Sequence, residues 1–393
     1  MESLQAFMIL ALFLGIGEIV AVKTKAYIGS TFIMMALLLI AFWCGLDPEI
    51  VTKSQAVALG TICIGLLMVN LATSISLKEF LKQWKTIIIG LGAVVCIALF
   101  CGGIGSMLIG KLMAYSGTPI VAGGINAYLI ISGPLQEAGR DQELVFALLI
   151  LSIQMLIGTP ICSIIMKKDA ENFKRTGKID EYISAANQLK DESQHKTLIP
   201  QLPASMQKPA VLLFKCSFVA FLGYFVSSLS GGKINGMILC MIFGIIFHAI
   251  GFLEDNILDK AGGSGFLMTM LMFFVFSNTS QATPDMLIDL IGPMVIIFVL
   301  GIAGIAVNAF IMSKIMKESF LMNFAIGLVA LIGFPGIFYI SKEVSEAVGD
   351  NEEERKAVEE YTMPRLVVAN FATMTIPSVV LASIMLPMIQ SSL

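Results

Sequence analysis

Two short segments of the chain combine glycine with other residues that interrupt helices. They hold Gly123, Gly124 and Asn126 in the first segment and Gly333, Pro335 and Gly336 in the second. An interrupted helix exposes N–H groups at a positive dipole end, which attract a carboxylate. It also exposes carbonyl oxygens, which suit a hard cation such as sodium. We predict that these six residues bind a small anion, with helix packing by small residues as the alternative.

A second group of residues offers side-chain oxygen atoms to a cation. Thr159 precedes Pro160, and Thr375 lies shortly before Pro377, so each hydroxyl lies beside a carbonyl that a proline frees within a helix. Polar runs also end two apolar segments, although such runs often only reach water. The predicted sodium ligands are Thr73, Ser74, Thr159, Asn278, Thr279, Ser280 and Thr375. Arg140 and Arg365 are candidate partners of the anion, and no cofactor or transition metal is expected.

The composition is that of a polytopic membrane protein. Of 393 residues, 57% are hydrophobic and only 13% are charged, whereas soluble domains are about a quarter charged. No basic run suggests nucleic acid. Apolar runs long enough to span a bilayer recur along the whole chain. We predict an all-α fold with ten spans, at 4–22, 26–45, 56–75, 86–110, 142–166, 209–229, 234–253, 263–282, 288–313 and 364–388.

Positive charges predict the orientation of these spans. Lysine and arginine concentrate after the first, third, fifth and ninth spans, above all in the polar segment 167–208. The positive-inside rule places that segment in the cytoplasm as a linker and both termini outside, in the cell (inner) membrane. Lys215 is expected to reach the cytoplasmic surface by snorkelling.

Two inverted repeats follow from this orientation, because five spans precede the linker and five follow it. The predicted repeats are 1–166 and 209–393. The segment 73-TSISLKEFL-81 is similar to 279-TSQATPDML-287, and 157-IGTPICSIIM-166 to 374-MTIPSVVLASIM-385.

Segments 112–141 and 318–350 are apolar but broken by glycine and proline, and they occupy the same place in each half. Irregular backbone is tolerated at membrane depth where it lines a cavity, and matched breaks in two halves are typical of a transporter's binding site. We predict two re-entrant hairpins that enter from opposite faces and meet near the midplane.

The residues from 123-GG-124 through 133-GPLQEAGRDQEL-144 to Pro160 resemble the bacterial sodium/glutamate symporters, the ESS family. The stretch 70-NLATSISLKEFLKQWK-85 is similar to that family's polar stretch after the third span. This chain departs from the family after its glycine pair, where Ile125-Asn126-Ala127 replaces His-Gly-Thr. The resemblance implies a homodimer in which a scaffold of spans one, two, six and seven holds a hairpin domain that moves substrate like an elevator.

The predicted function is sodium-coupled symport of glutamate or a similar small carboxylate. The alternatives are a proton-coupled carrier, an exchanger or an exporter of another organic anion, similar to the 2-hydroxycarboxylate carriers. Proton coupling would draw on Glu137. A membrane enzyme is the remaining alternative, but the chain has no HExxH motif and no clustered aspartates.

Overall fold

The chain is all-helical in the part that the computed structural model describes. That part comprises residues 2–25, 28–74, 83–180, 199, 202–230, 236–276, 284–334, 336–374 and 376–391. Helices make up 86% of it, and no strand occurs in it. Seven of these helices are long and apolar enough to cross a membrane. The architecture agrees with a polytopic helical membrane protein.

The described residues of the first half of the chain form nine α-helices. They are α1 (Glu2–Lys23), α2 (Ser30–Trp43), α3 (Ile50–Lys53), α4 (Ala56–Ser74), α5 (Trp84–Ile97), α6 (Gly105–Leu108), α7 (Lys111–Gly123), α8 (Ile125–Glu137) and α9 (Asp141–Arg175). A π-helical segment, Ala98–Ile104, joins α5 to α6. Asp141 and Glu143 begin α9, and Lys174 and Arg175 end it, so its charges complement the helix dipole.

The second half forms another nine α-helices among the described residues, after a short 3-10 turn at Ala204–Met206. They are α10 (Pro209–Leu229), α11 (Gly236–Ala249), α12 (Ile257–Lys260), α13 (Ser264–Val275), α14 (Pro284–Met316), α15 (Phe320–Ile332), α16 (Gly336–Val348), α17 (Glu352–Met374) and α18 (Ile376–Gln390).

Each of the ten predicted spans overlaps a helix, but the tenth, 364–388, covers the end of α17 and most of α18, and three other spans overlap short helices. Helices α2 and α11 have 14 residues and α13 has 12, whereas a straight span needs about 20. Helix α9 also continues to Arg175, beyond the predicted end of its span. The first residues of the predicted linker are therefore helical, while residues 181–198 lie outside the described part.

The chain divides into two compact units, each built from separate stretches. Unit 1 comprises Met1–Ala11, Glu49–Lys82 and Tyr182–Ser277, and unit 2 comprises Leu12–Pro48, Gln83–Glu181 and Asn278–Leu393. Unit 1 therefore holds the third and eighth spans with the sixth and seventh, whereas the second span belongs to unit 2. This grouping differs from the scaffold that the resemblance implies.

Two glycine residues let helices of unit 1 pack closely against each other. A Cβ atom on Gly60 of α4 would lie 2.3 Å from the Phe274 ring of α13, and one on Gly244 of α11 would lie 2.5 Å from Ala72 Cβ. Small residues let helix backbones approach closely in this way. Helix α4 thus packs directly against α11 and α13.

Unit 2 contains two helix pairs with the same layout. Helices α7 and α8 have 13 residues each and are separated by Gly124 alone. Helices α15 and α16 also have 13 residues each and are separated by residues 333–335. We call α7–α8 the first pair and α15–α16 the second pair, and call the break in each its tip.

The arms of the first pair both lie along the N-terminal half of α9. A Cβ atom on Gly117 of α7 would lie 2.6 Å from Ile150 and 2.8 Å from Phe146. Helix α8 ends at Glu137, just before α9 begins at Asp141. The first pair is therefore a helical hairpin whose tip reaches the middle of α9.

The arms of the second pair lie along the other half of α9. Helix α15 contacts α9 at two places. A Cβ atom on Gly158 of α9 would lie 2.8 Å from Leu331 of α15. Ser319, which caps α15, donates a hydrogen bond to Asp169 of α9. In α16, the Val348 carbonyl accepts a hydrogen bond from Lys174 at 3.1 Å. The two hairpins thus approach the middle of α9 from opposite ends.

Candidate functional site

The tip of the first pair is a single glycine. Gly124 has φ 64° and ψ −134°, a conformation open to essentially no other residue. Its N–H donates to the Ile120 carbonyl at 2.7 Å, and its carbonyl accepts from the Tyr128 N–H at 3.1 Å. One helix therefore ends and the next begins at the same residue. The last carbonyls of α7 and the first N–H groups of α8 are the groups that helix geometry leaves without intrahelical partners.

The tip of the second pair is held by a side chain from α17. Gly333 has φ 69° and ends α15, with its N–H bonded to the Val329 carbonyl at 2.9 Å. The next residue, Phe334, donates its N–H to Asn370 Oδ1 at 3.0 Å. Asn370 of α17 thus fixes the path of the chain out of α15. Pro335 lies outside the described residues.

The two tips meet at one methionine side chain. A Cβ atom on Gly124 would lie 3.0 Å from Met374 Cε, and one on Gly333 would lie 2.9 Å from the same atom. The structure therefore brings together the two glycine segments that the sequence analysis singled out. A side chain at either glycine would have to displace Met374.

Further polar groups lie beside the tips. Gln154 of α9 is 4% exposed, its Nε2 atom lies 3.3 Å from the position of a Gly124 Cβ, and its Oε1 atom is buried without a hydrogen-bond partner. Asn126 is half-buried in the first turn of α8, and Gly336, the first residue of α16, is buried. Ser378 lies against Gly123 and donates a hydrogen bond to the Met374 carbonyl at 3.0 Å.

This arrangement can bind an anion and a cation next to each other. Each tip joins the C-terminal end of one helix to the N-terminal end of the next. The N-terminal ends of α8 and α16 carry partial positive charge and free N–H groups, which favour an anion. The C-terminal ends of α7 and α15 present carbonyl oxygens, which favour a cation.

The structure brings neither predicted arginine to the tips. Arg140 precedes α9 at the far end of α8, a helix of 13 residues and thus about 20 Å long. Arg365 donates to the Tyr361 carbonyl and stacks over the Tyr361 ring at 4.3 Å. Its guanidinium therefore extends along α17 away from Asn370.

Thr159 best fits the predicted role of an ion ligand. It is fully buried in α9 next to Gly158, which packs against the end of α15, and its hydroxyl has no hydrogen-bond partner. Thr73 belongs to unit 1, where it donates to the Asn70 carbonyl of its own helix at 2.6 Å. The other predicted ligands lie outside the described part: the side chain of Ser74 and all of Asn278, Thr279, Ser280 and Thr375.

Sequence reasoning missed the residues that complete the site. Met374 and Ser378 reach the tips, and Glu343 of α16 reaches the start of α2, only through tertiary packing, so no local motif indicated them. The sequence offers one indication for Glu343, because a charged residue stands on α16 beside the apolar Ile340 and Val344, which are buried. Glu137, considered for proton transfer, is exposed at the end of α8.

Replacing Asn370 by leucine is expected to destabilise unit 2 by about 1–3 kcal/mol, because the Phe334 N–H loses its partner. Thermal unfolding of the detergent-solubilised protein measures the loss. Asn323→Leu is a matched control, since Asn323 is fully buried and neither of its side-chain polar atoms has a hydrogen-bond partner. That variant should be neutral or stabilising. Equal destabilisation by the two changes would contradict the capping role of Asn370.

The sequence matches no protein-family model, and no curated protein matches it significantly. Among solved structures, the chain is similar to the sodium/proton antiporter NhaP1 from Methanocaldococcus jannaschii, determined at pH 8. The two are 16% identical, and the match covers 98% of this chain and 100% of that one with a TM-score of 0.42. At this level the match identifies no family, so the function has to be inferred from the residues of this chain.

Proposed function

We propose that this chain is a secondary active transporter that couples sodium to the symport of glutamate or a similar small carboxylate. One observation carries the proposal: the tips of two broken helix pairs, far apart in the sequence, meet at Met374. Matched helix breaks in the two halves of a chain mark the substrate site of many secondary transporters.

The layout of unit 2 supports an inverted repeat. The two pairs have arms of equal length, and they approach the middle of α9 from opposite ends. With both termini outside and the central linker in the cytoplasm, as the charges predict, the first pair enters from outside and the second from inside. The ten-span inverted architecture, the homodimer and the elevator movement of unit 2 belong to this proposal.

The substrate carboxylate would bind the free N–H groups at the starts of α8 and α16. Gln154, buried beside Gly124, offers a neutral amide to the same ligand. The structure brings neither Arg140 nor Arg365 to the tips, so these N–H groups and amides supply the attraction for the anion. Such sites bind carboxylates without a fixed countercharge.

Uptake of radiolabelled L-glutamate into proteoliposomes tests the proposal, with an inward sodium gradient and with potassium in its place. We expect sodium-dependent uptake that Gly124→Val abolishes, because a valine side chain at the tip would collide with Met374 and Gln154. Gly139→Val is the matched control, since Gly139 has φ 65° but a Cβ atom there meets no neighbour within 4 Å.

The outcomes separate the parts of the proposal. Loss of uptake in Gly124→Val alone supports a substrate site at the tips, and equal loss in both variants argues against it. No uptake by folded wild-type protein excludes imported glutamate, and a thermal-shift screen of other carboxylates with and without sodium would follow.

A proton-coupled carrier or exchanger is a second candidate, and one observation favours it. Glu343 of α16 holds a buried carboxylate oxygen without a hydrogen-bond partner, and such a group can carry a proton. Uptake driven by a pH gradient in the absence of sodium would favour this candidate.

A further inference from the structure

Buried polar atoms without partners concentrate at one place in unit 2. Among the described residues, eight buried side-chain oxygen or nitrogen atoms have no hydrogen-bond partner, and four of them belong to residues around the start of α2. They are Ser30 Oγ, Thr31 Oγ1, Thr159 Oγ1 and Glu343 Oε2. An unpaired polar atom is costly to bury, so such a concentration indicates a bound ligand.

The four residues come from three separate elements, α2, α9 and α16, whose side chains meet around Gly29. The position of a Cβ atom on Gly29 lies 3.0 Å from Glu343 Oε2 and 3.7 Å from Thr31 Oγ1. The Thr159 methyl group lies 3.7 Å from the same position. The Ser30 hydroxyl lies close enough to the Glu343 carboxyl group to interact with it, but without the geometry of a hydrogen bond. We call Ser30, Thr31, Thr159 and Glu343 the α2 site.

The charges around the site favour a cation. Glu343 uses only one carboxylate oxygen, Oε1, which accepts the Ser30 N–H at 2.8 Å and so offsets the positive end of α2. Its other oxygen remains free. Two further carboxylates, Glu346 and Glu18, act electrostatically on Glu343.

The ligand set suits a monovalent ion. It comprises one carboxylate and three neutral hydroxyls, all hard oxygen donors. Divalent cations usually recruit more carboxylates, and the described residues contain no group of three or more acidic, histidine or cysteine side chains placed to hold a metal ion. Ser30 and Thr159 are fully buried and Thr31 is 2% exposed, so the hydroxyls lie where bulk water does not satisfy them.

We propose that the α2 site binds a sodium ion through Glu343 Oε2 and the hydroxyls of Ser30, Thr31 and Thr159. Thr159 directly follows Gly158, which packs against Leu331 and Ile332 just before the second tip. An ion at the α2 site thus holds α2 and α9 against the hairpin that forms half of the candidate substrate site. The proposed sodium binding does not depend on the transported substrate, whereas a role of the sodium ion in coupling rests on the proposed function.

Binding of radiolabelled sodium to the full-length protein in detergent, measured without any substrate anion, tests the proposal. We expect saturable binding that Glu343→Gln weakens by about tenfold or more, as for the loss of a charged ligand. Thr159→Val removes one neutral ligand at nearly constant volume and should weaken binding by roughly threefold to tenfold. Gly29→Ala, which places a methyl group between the ligands, should also weaken it.

The matched control is Thr118→Val, because Thr118 is equally buried but its hydroxyl donates to the Ala114 carbonyl of its own helix at 2.7 Å. It should bind sodium like the wild type. Size-exclusion elution and circular dichroism establish that each variant is folded. Wild-type protein that binds no sodium overturns the proposal, as do folded Glu343→Gln and Thr159→Val variants with wild-type affinity. Sodium binding without glutamate uptake would overturn the proposed substrate and leave the α2 site standing.

Discussion

Replacement of Lys215 by methionine is expected to destabilise the protein by about 3–5 kcal/mol, because it removes one partner of a buried ion pair. The Lys215 ammonium lies 2.5 Å from Glu254 Oε1, and the two side chains are 9% and 0% exposed. Lys215 also lies over the Phe252 ring at 5.2 Å. Without the lysine, the buried Glu254 carboxyl group loses the partner of its ion pair.

The free energy of unfolding in detergent, from denaturant titration followed by fluorescence, measures this loss. The double variant Lys215→Met with Glu254→Leu should regain most of it, since an apolar pair of similar volume often replaces a buried ion pair without cost. Lys85→Met is the control, because its partner Glu318 forms a pair in which the two side chains are 37% and 33% exposed. That change should cost about 0–1 kcal/mol. A Lys215 effect no larger than the Lys85 effect would exclude a structural ion pair.

Lys215 also illustrates a limit of the sequence analysis. A lysine near a span end predicts snorkelling to the surface, and that prediction is wrong here because Glu254, 39 residues away, pairs with it inside unit 1. The partner lies in a loop between two apolar helices. Its approach depends on tertiary packing, which a local pattern does not encode.

The helices and their breaks could be predicted from the sequence because both depend on residues that are close together in the chain. Apolar length predicted a helix at every span, and glycine and proline placed the broken segments at 112–141 and 318–350, where the structure has Lys111–Glu137 and Phe320–Val348. Each break follows from backbone conformations that only glycine adopts readily. The span lengths were less accessible, because α2, α11 and α13 end early.

The residues of the candidate site could be predicted from the sequence only in part. Gly124 and Gly333 can be recognised in the sequence as residues that interrupt helices. Met374, which lies against both, cannot be distinguished in the sequence from the other apolar residues of its span. The α2 site is a stronger example, since its ligands come from α2, α9 and α16 and no two of these helices are adjacent in sequence. Arg365 was selected for its charge, whereas its direction depends on Tyr361 one turn away.

The sharpest test of the tip geometry is a compensating pair of changes at Gly123 and Ser378. A Cβ atom on Gly123 would lie 1.8 Å from Ser378 Cβ and 2.2 Å from Ser378 Oγ, so Gly123→Ala has to force α7 and α18 apart. Overpacking of this kind costs about 1–3 kcal/mol, occasionally more. We expect a lower midpoint of thermal unfolding and loss of transport.

Adding Ser378→Gly removes both colliding atoms and should restore stability and transport toward the values of Ser378→Gly alone, with a coupling free energy of about 1–3 kcal/mol in the double-mutant cycle. Gly15→Ala is the control, because Gly15 lies inside α1 with no neighbour within 4 Å of its Cβ position, and alanine is the better helix former by about 1 kcal/mol. A double variant no better than Gly123→Ala would mean that residue 123 needs the backbone freedom of glycine. Recovery would mean that residue 123 needs only space on the side of Ser378, so that close contact between α7 and α18 sets the position of the first tip.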